Sequence, residues 1–132
     1  EDARIYRLGR LPNVTLAGEV SYTALPGLMR EWDAALIPFL VTPLTLATNP
    51  IKLYEYFSAG LPVVSTALPE VAAYGDLVYL AHSADEFRER LGAALAERDS
   101  KLARRRLEAT ARKSWTERAG RILALVRDRT AC

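Results

Sequence analysis

The chain has 132 residues, half of them apolar and about a quarter charged, which suits one globular domain with a core of its own. No apolar run approaches the ~18–20 residues of a membrane span, and the charged opening Glu1-Asp2-Ala3-Arg4 does not read as a secretory leader. Cys132 is the single cysteine, so neither an intrachain disulfide nor a cysteine metal cluster is expected, and the setting reads as reducing and cytoplasmic.

In chain order, Asn13–Gly18 reads as a short strand closed by a glycine turn, Thr23–Arg30 as a short helix and Ala34–Pro38 as a buried strand. Leu40–Thr48 mixes Pro43 with three threonines and follows neither period, so a loop is expected. Asn49 is a good N-cap, Pro50 a favoured first helical residue and Gly60 a stop. Pro62–Thr66 reads as a strand, Pro69–Tyr74 as a turn or a single helical turn, and Leu77–Ala81 as another strand. Ser83-Ala84-Asp85-Glu86 is a capping box ahead of Phe87, Leu91, Ala94 and Leu95 at helical spacing. Ala103, Leu107 and Ala111 recur every four residues in the next helix. A second capping box, Ser114–Glu117, opens a helix with Trp115, Ala119, Ile122, Leu123 and Val126 on one face. Short apolar strands separated by helices predict an α/β fold: a Rossmann-like parallel sheet with helices on both faces.

Charge is unevenly spread. Residues 98–129 carry eleven Lys or Arg against four acids, a balance of +7, while residues 1–97 carry −5. Such a basic end reads as the solvated outer face of C-terminal helices; it also suits peripheral contact with an anionic membrane surface. Nucleic acid is not an expected partner.

The segment from Thr48 to Thr66 is the most informative. In an open parallel sheet ligands bind outside the carboxyl ends of the strands, beside helix N-termini. The helix opening at Asn49-Pro50 follows a strand and an irregular loop, so its start should face that cleft and favour an anion. Lys52 adds a full charge, and Glu55 and Ala59 share its face, with Leu53, Tyr54 and Phe57 on the buried side. A phosphate at the helix start and a ribose one turn down would bring Glu55 to two sugar hydroxyls. The same spacing also describes an ordinary surface pair worth ~0.2–0.5 kcal/mol, and spacing alone leaves both open.

These residues resemble the C-terminal, nucleotide-binding lobe of GT-B fold glycosyltransferases, especially the retaining family 4 type (glycosyl transferases group 1). Leu11–Val20 looks like that family's "NV-x-x-x-G" strand and turn, and Leu25–Phe39 like its helix followed by an "aDvaliP" strand. Asn49–Val64 resembles its most diagnostic segment, "K-x-x-E-x-x-A-x-G-x-P-V-V", and Ser114–Arg118 its "sW-x-x-r" helix start. The resemblance implies transfer of a sugar from a nucleotide-diphosphate sugar to a saccharide or lipid-linked acceptor, as in polysaccharide biosynthesis. It implies that Glu55 holds the donor ribose, that Lys52 and the amides around Asn49, Pro50 and Ile51 face the diphosphate, and that the backbone of Gly18, Glu19 and Val20 meets the nucleobase. No cofactor and no protein-bound metal are implied, and no Asp-x-Asp motif occurs.

Two departures qualify the resemblance. Many members carry a glutamate facing the donor sugar eight residues before the ribose-binding one; that position is Ala47 here, so no catalytic carboxylate is assigned. The family's opening strands and glycine-rich phosphate loop have no counterpart before Asn13, and the acceptor domain has none either. Residues 1–132 are therefore expected to form one incomplete donor-binding lobe, inactive by itself, with open sheet edges that favour a dimer.

Other residues carry less. His82 reads as an exposed loop histidine, Trp32 and Trp115 as packing anchors, and Asp33 as structural. Ser65-Thr66 could meet ligand or cap the next turn, and Glu70 ranks below Glu55. The competing readings are an epimerase lobe of the same fold, which lacks its paired carboxylates and histidine here, and a non-catalytic protein-interaction domain.

Overall fold

The computed structural model describes residues 3–111 and 115–130. Three parallel strands, β1 (Ala35–Ile37), β2 (Val63–Thr66) and β3 (Val78–Ala81), lie in the order β1-β2-β3, with Ala35 opposite Val63 and Val63 opposite Val78. Eight helices accompany them among the described residues: α1 (Ala3–Leu8), α2 (Leu25–Met29), α3 (Pro43–Leu46), α4 (Ile51–Ser58), α5 (Pro69–Ala72), α6 (Ala84–Ala96), α7 (Ser100–Ala111) and α8 (Trp115–Thr130). A 3-10 turn, Gly75–Leu77, leads into β3.

The central strand explains the layering. Val63, Val64 and Ser65 are all fully buried, so β2 is covered on both faces, as a parallel strand linked by helical crossovers must be. Alternation puts Ala35, Ile37, Val63 and Val78 on the face where Leu53 and Phe57 of α4 pack. The other face, with Val64 and Ala81, lies beneath α6, which contributes the buried Ala94. The sheet is thus Rossmann-like, with helices on both sides.

α4 ends as its sequence predicts. Gly60 takes φ +74°, its N–H donates to the Phe57 carbonyl at 2.9 Å and the Leu61 N–H donates to Tyr56 at 3.1 Å. This paired bonding satisfies the last carbonyls and turns the chain directly into β2.

Several expectations are corrected. Asn13–Gly18 forms no strand: the segment joins no ladder among the described residues, and Leu16 is 56% exposed. Its apolar alternation supplies the pattern of a strand but no neighbour to pair with. The chain does bend where the glycine is placed, with Gly18 at φ +67° and the bend at Glu19, without a turn hydrogen bond among the described residues. The expected loop Leu40–Thr48 contains α3, because Thr42 and Thr45 cap it reciprocally: each side-chain oxygen accepts the other's backbone N–H. Pro50, not Asn49, occupies the N-cap position of α4. At α6 Ser83 accepts the Glu86 N–H as expected, whereas the Glu86 carboxylate reaches one residue further back, to the His82 N–H at 2.8 Å. In α7 the buried position is Arg106, while Leu107 is 45% exposed.

Arg106 organises the amino ends of the strands. Its Nε donates to the Leu77 carbonyl at 2.9 Å, one terminal nitrogen to Gly60, and both terminal nitrogens to the Glu97 carboxylate at 2.6 Å. Glu97 also accepts the Tyr79 hydroxyl at 2.9 Å. Burial alone would raise the Glu97 carboxyl, but the Arg106 guanidinium and the Tyr79 hydroxyl outweigh it and hold the group below its ordinary range. α7 is thereby fixed across the starts of β2 and β3, at the end of the sheet opposite the candidate site.

The second capping residue, Ser114, and Cys132 lie outside the described residues. On α8 the apolar side chains of Ile122, Leu123 and Leu125 are more than half exposed. No helix among the described residues is long and apolar enough to cross a membrane.

Candidate functional site

Topology fixes where α4 begins. β1 and β2 run parallel, so the chain leaving Ile37 must return to the amino end of β2, and α4 makes that return journey. Its first residues therefore stand at the carboxyl edge of the sheet. Pro50 has no N–H and is buried; no side chain caps this end, so the leading backbone N–H groups of Ile51 and Lys52 carry no side-chain partner.

Lys52 and Glu55 come together as their spacing predicts, with Nζ 3.5 Å from Oε2. The pair is asymmetric: the lysine side chain is 58% exposed and the glutamate 12%. Glu55 is thus largely covered, while the Lys52 side chain stands mostly in solvent. Tyr56 lies beside them, its hydroxyl pushed up by burial, with Lys52 lowering and Glu55 raising it, and its ring meets Trp32 edge-on at 6.2 Å. Trp32 thus packs on Tyr56 yet stays 38% exposed.

Asn49 does not cap α4. Its Oδ1 accepts the Tyr54 hydroxyl at 2.9 Å, and the Tyr54 ring stands edge-on to Tyr74, which in turn contacts the buried Phe57. Gly18, Glu19 and Val20 lie on a mostly exposed turn between α1 and α2, and among the described residues no hydrogen bond joins that turn to α4. The predicted residues therefore fall into one assembled group, Asn49 to Glu55, and one separate turn.

Sequence reasoning missed a cleft of about 630 Å³ at the carboxyl ends of all three strands. Phe39, Leu40 and Val41 line it after β1, Thr66 at the end of β2 and Ala67 just beyond, and Ala81 at the end of β3 with His82 to Ala84 and Phe87 beyond it. The lining is chiefly apolar, with Thr66, His82 and Ser83 as its polar members. Neither Lys52 nor Glu55 lines it. His82 is exposed, as expected; Ser65 is buried, donates to backbone carbonyls, and is structural. Glu70 and Asp33 are exposed. No group of three or more metal-ligating side chains occurs among the described residues.

Comparison with known proteins identifies the family of the chain. A curated relative, described as a putative teichuronic acid biosynthesis glycosyltransferase TuaH of Bacillus subtilis (strain 168), is 37% identical over 71 residues. That match covers 54% of this chain but only 18% of the relative, so the chain spans a minor part of that protein's length. No solved structure matches. The family described as glycosyl transferases group 1 matches residues 1–97, about three quarters of the chain and the whole of the sheet. The chain belongs to the glycosyl transferases group 1 family.

Proposed function

We propose that residues 1–132 form the donor-binding lobe of a GT-B type glycosyltransferase. In the full-length protein this lobe would serve transfer of a sugar from a nucleotide-diphosphate sugar to a saccharide or lipid-linked acceptor. The observation that carries the reading is the Lys52–Glu55 pair at the uncapped start of α4, inside the segment the family matches. In this reading the diphosphate meets Lys52 and the amides at Ile51 and Lys52, where charge and helix dipole act together. Glu55, pre-positioned and mostly shielded, accepts the ribose hydroxyls. Gly18, Glu19 and Val20 close on the nucleobase when the donor is bound. The likeness to a teichuronic acid enzyme favours a polymer-building pathway.

The same reading places the protein in the cytoplasm, against the inner face of the membrane. The +7 balance of residues 98–129 and the exposed apolar residues of α8 favour an anionic surface there. Sedimentation with phosphatidylglycerol vesicles, reversed by salt, is the expected behaviour.

The reading is tested by titrating UDP, GDP and ADP into the full-length protein and its Lys52→Ala and Glu55→Ala variants. One diphosphate should bind, and each variant should bind it about tenfold or more weakly, the loss of a charge-assisted hydrogen bond. Undiminished binding by both variants would reject the site.

A further inference from the structure

We infer that Tyr54 is a positioning residue that aims the Asn49 side-chain N–H groups at a bound phosphate as hydrogen-bond donors; this rests on the donor-site reading above. The Tyr54 hydroxyl donates to Asn49 Oδ1 at 2.9 Å. That contact engages the acceptor half of the Asn49 amide, and among the described residues its Nδ2 hydrogens have no partner. Asn49 itself is exposed and precedes Pro50, which keeps its backbone out of the helix. An otherwise mobile amide is therefore held at the mouth of α4 with its donor half available.

The hydroxyl is a firm anchor because its ring is locked. Tyr54 stands edge-on to Tyr74 at 6.3 Å and 81°, and Tyr74 edge-on to the fully buried Phe57 at 5.3 Å and 90°. Phe57 packs in the core beneath β1 and β2. Polarising the amide carbonyl also makes the amide hydrogens better donors. A bound diphosphate would thus meet Lys52, the α4 amides and the Asn49 side chain, and the core would set the position of the last.

Paired ligands, with and without the diphosphate, distinguish this role from a purely structural Tyr54–Asn49 bond. In the full-length protein, the affinity for the tightest-binding of UDP, GDP and ADP is measured beside that for the matching nucleoside, by titration followed by NMR. Tyr54→Phe and Asn49→Ala are each expected to weaken the diphosphate about five- to tenfold, and the double variant no more than Asn49→Ala alone. Nucleoside affinity should change by less than about twofold. Asn49→Asp keeps the acceptor for Tyr54, so its melting temperature should hold, yet it should lose diphosphate binding at least as severely as Asn49→Ala. Wild-type binding by Tyr54→Phe or Asn49→Asp, losses that multiply in the double variant, or equal losses for nucleoside and diphosphate would overturn the inference. If Glu55→Ala and Lys52→Ala lose binding while Tyr54→Phe does not, only the positioning role fails. If the wild type binds no diphosphate, the donor site falls and this role with it.

Discussion

Replacing Arg106 by methionine should destabilise the domain by about 3–5 kcal/mol at pH 7, the cost of breaking a buried ion pair from one side. The structure shows where that cost arises. Arg106 is fully buried and Glu97 is 7% exposed, so the variant leaves a carboxylate without its cation in a nearly dry site. The Leu77 and Gly60 carbonyls lose their guanidinium donor as well. The Tyr79 hydroxyl remains on Glu97 and offsets only part of the loss. Pairing Arg106→Met with Glu97→Met removes both charges and should recover most of the stability, since well-packed apolar replacements of buried pairs are often neutral. Urea denaturation at pH 7, with the slope held constant, reads these differences.

The pH dependence gives a second readout. In the wild type Glu97 titrates below its unfolded value, so its stabilisation is present above the unfolded pKa and is lost as pH falls through the folded one. In Arg106→Met the uncompensated carboxyl titrates above its unfolded value, so the penalty is full at pH 7 and fades as pH falls. The gap between the two proteins should therefore narrow from pH 7 toward pH 4. A single variant within about 1 kcal/mol of wild type at pH 7, or a gap that widens on acidification, would refute the reasoning.

Other expectations follow from individual contacts. Gly60→Ala should cost about 1–2 kcal/mol in the same denaturation assay, because φ is +74°. The added Cβ would meet Ala103 at an ordinary 3.5 Å, so the cost is conformational and not steric. Ser83→Ala removes the acceptor of the Glu86 N–H and should cost about 1 kcal/mol; unchanged stability would show that the Glu86–His82 contact suffices alone. Phe57→Ala empties a fully buried site against Tyr74 and should cost about 3–5 kcal/mol. A loss below 1 kcal/mol would contradict the packing described.

The three strands and α4 were legible because their signals are local. Ala34–Pro38, Pro62–Thr66 and Leu77–Ala81 are short apolar runs, and each observed strand lies inside one. Gly60 announces its turn because few other residues accept that backbone. Three of the errors have a different cause, namely partners distant in sequence or competing for one side chain. Asn13–Gly18 carries strand chemistry without a pairing neighbour. Asn49 is a sound N-cap by type, yet the Tyr54 hydroxyl five residues on claims its oxygen. Arg106 looked like one more charge in a basic stretch, whereas its burial depends on Glu97, Gly60 and Leu77. Its spacing from Leu102, Ala103 and Ala109 on the same inward face was the available signal. At the site, the Lys52–Glu55 contact follows from a three-residue helical step. The carboxyl-edge cleft does not, since it is assembled from the ends of three strands.

The central claim is that Glu55 holds the ribose of a nucleotide-sugar donor, and sugar-hydroxyl discrimination tests it most directly. The full-length protein and its Glu55→Ala variant are titrated with the preferred nucleoside diphosphate and with its 2′,3′-dideoxy analogue. The wild type should favour the ribose form by about ten- to a hundredfold, as two hydroxyls on a carboxylate imply, and Glu55→Ala should bind both forms equally. Equal discrimination by wild type and variant would contradict the assignment.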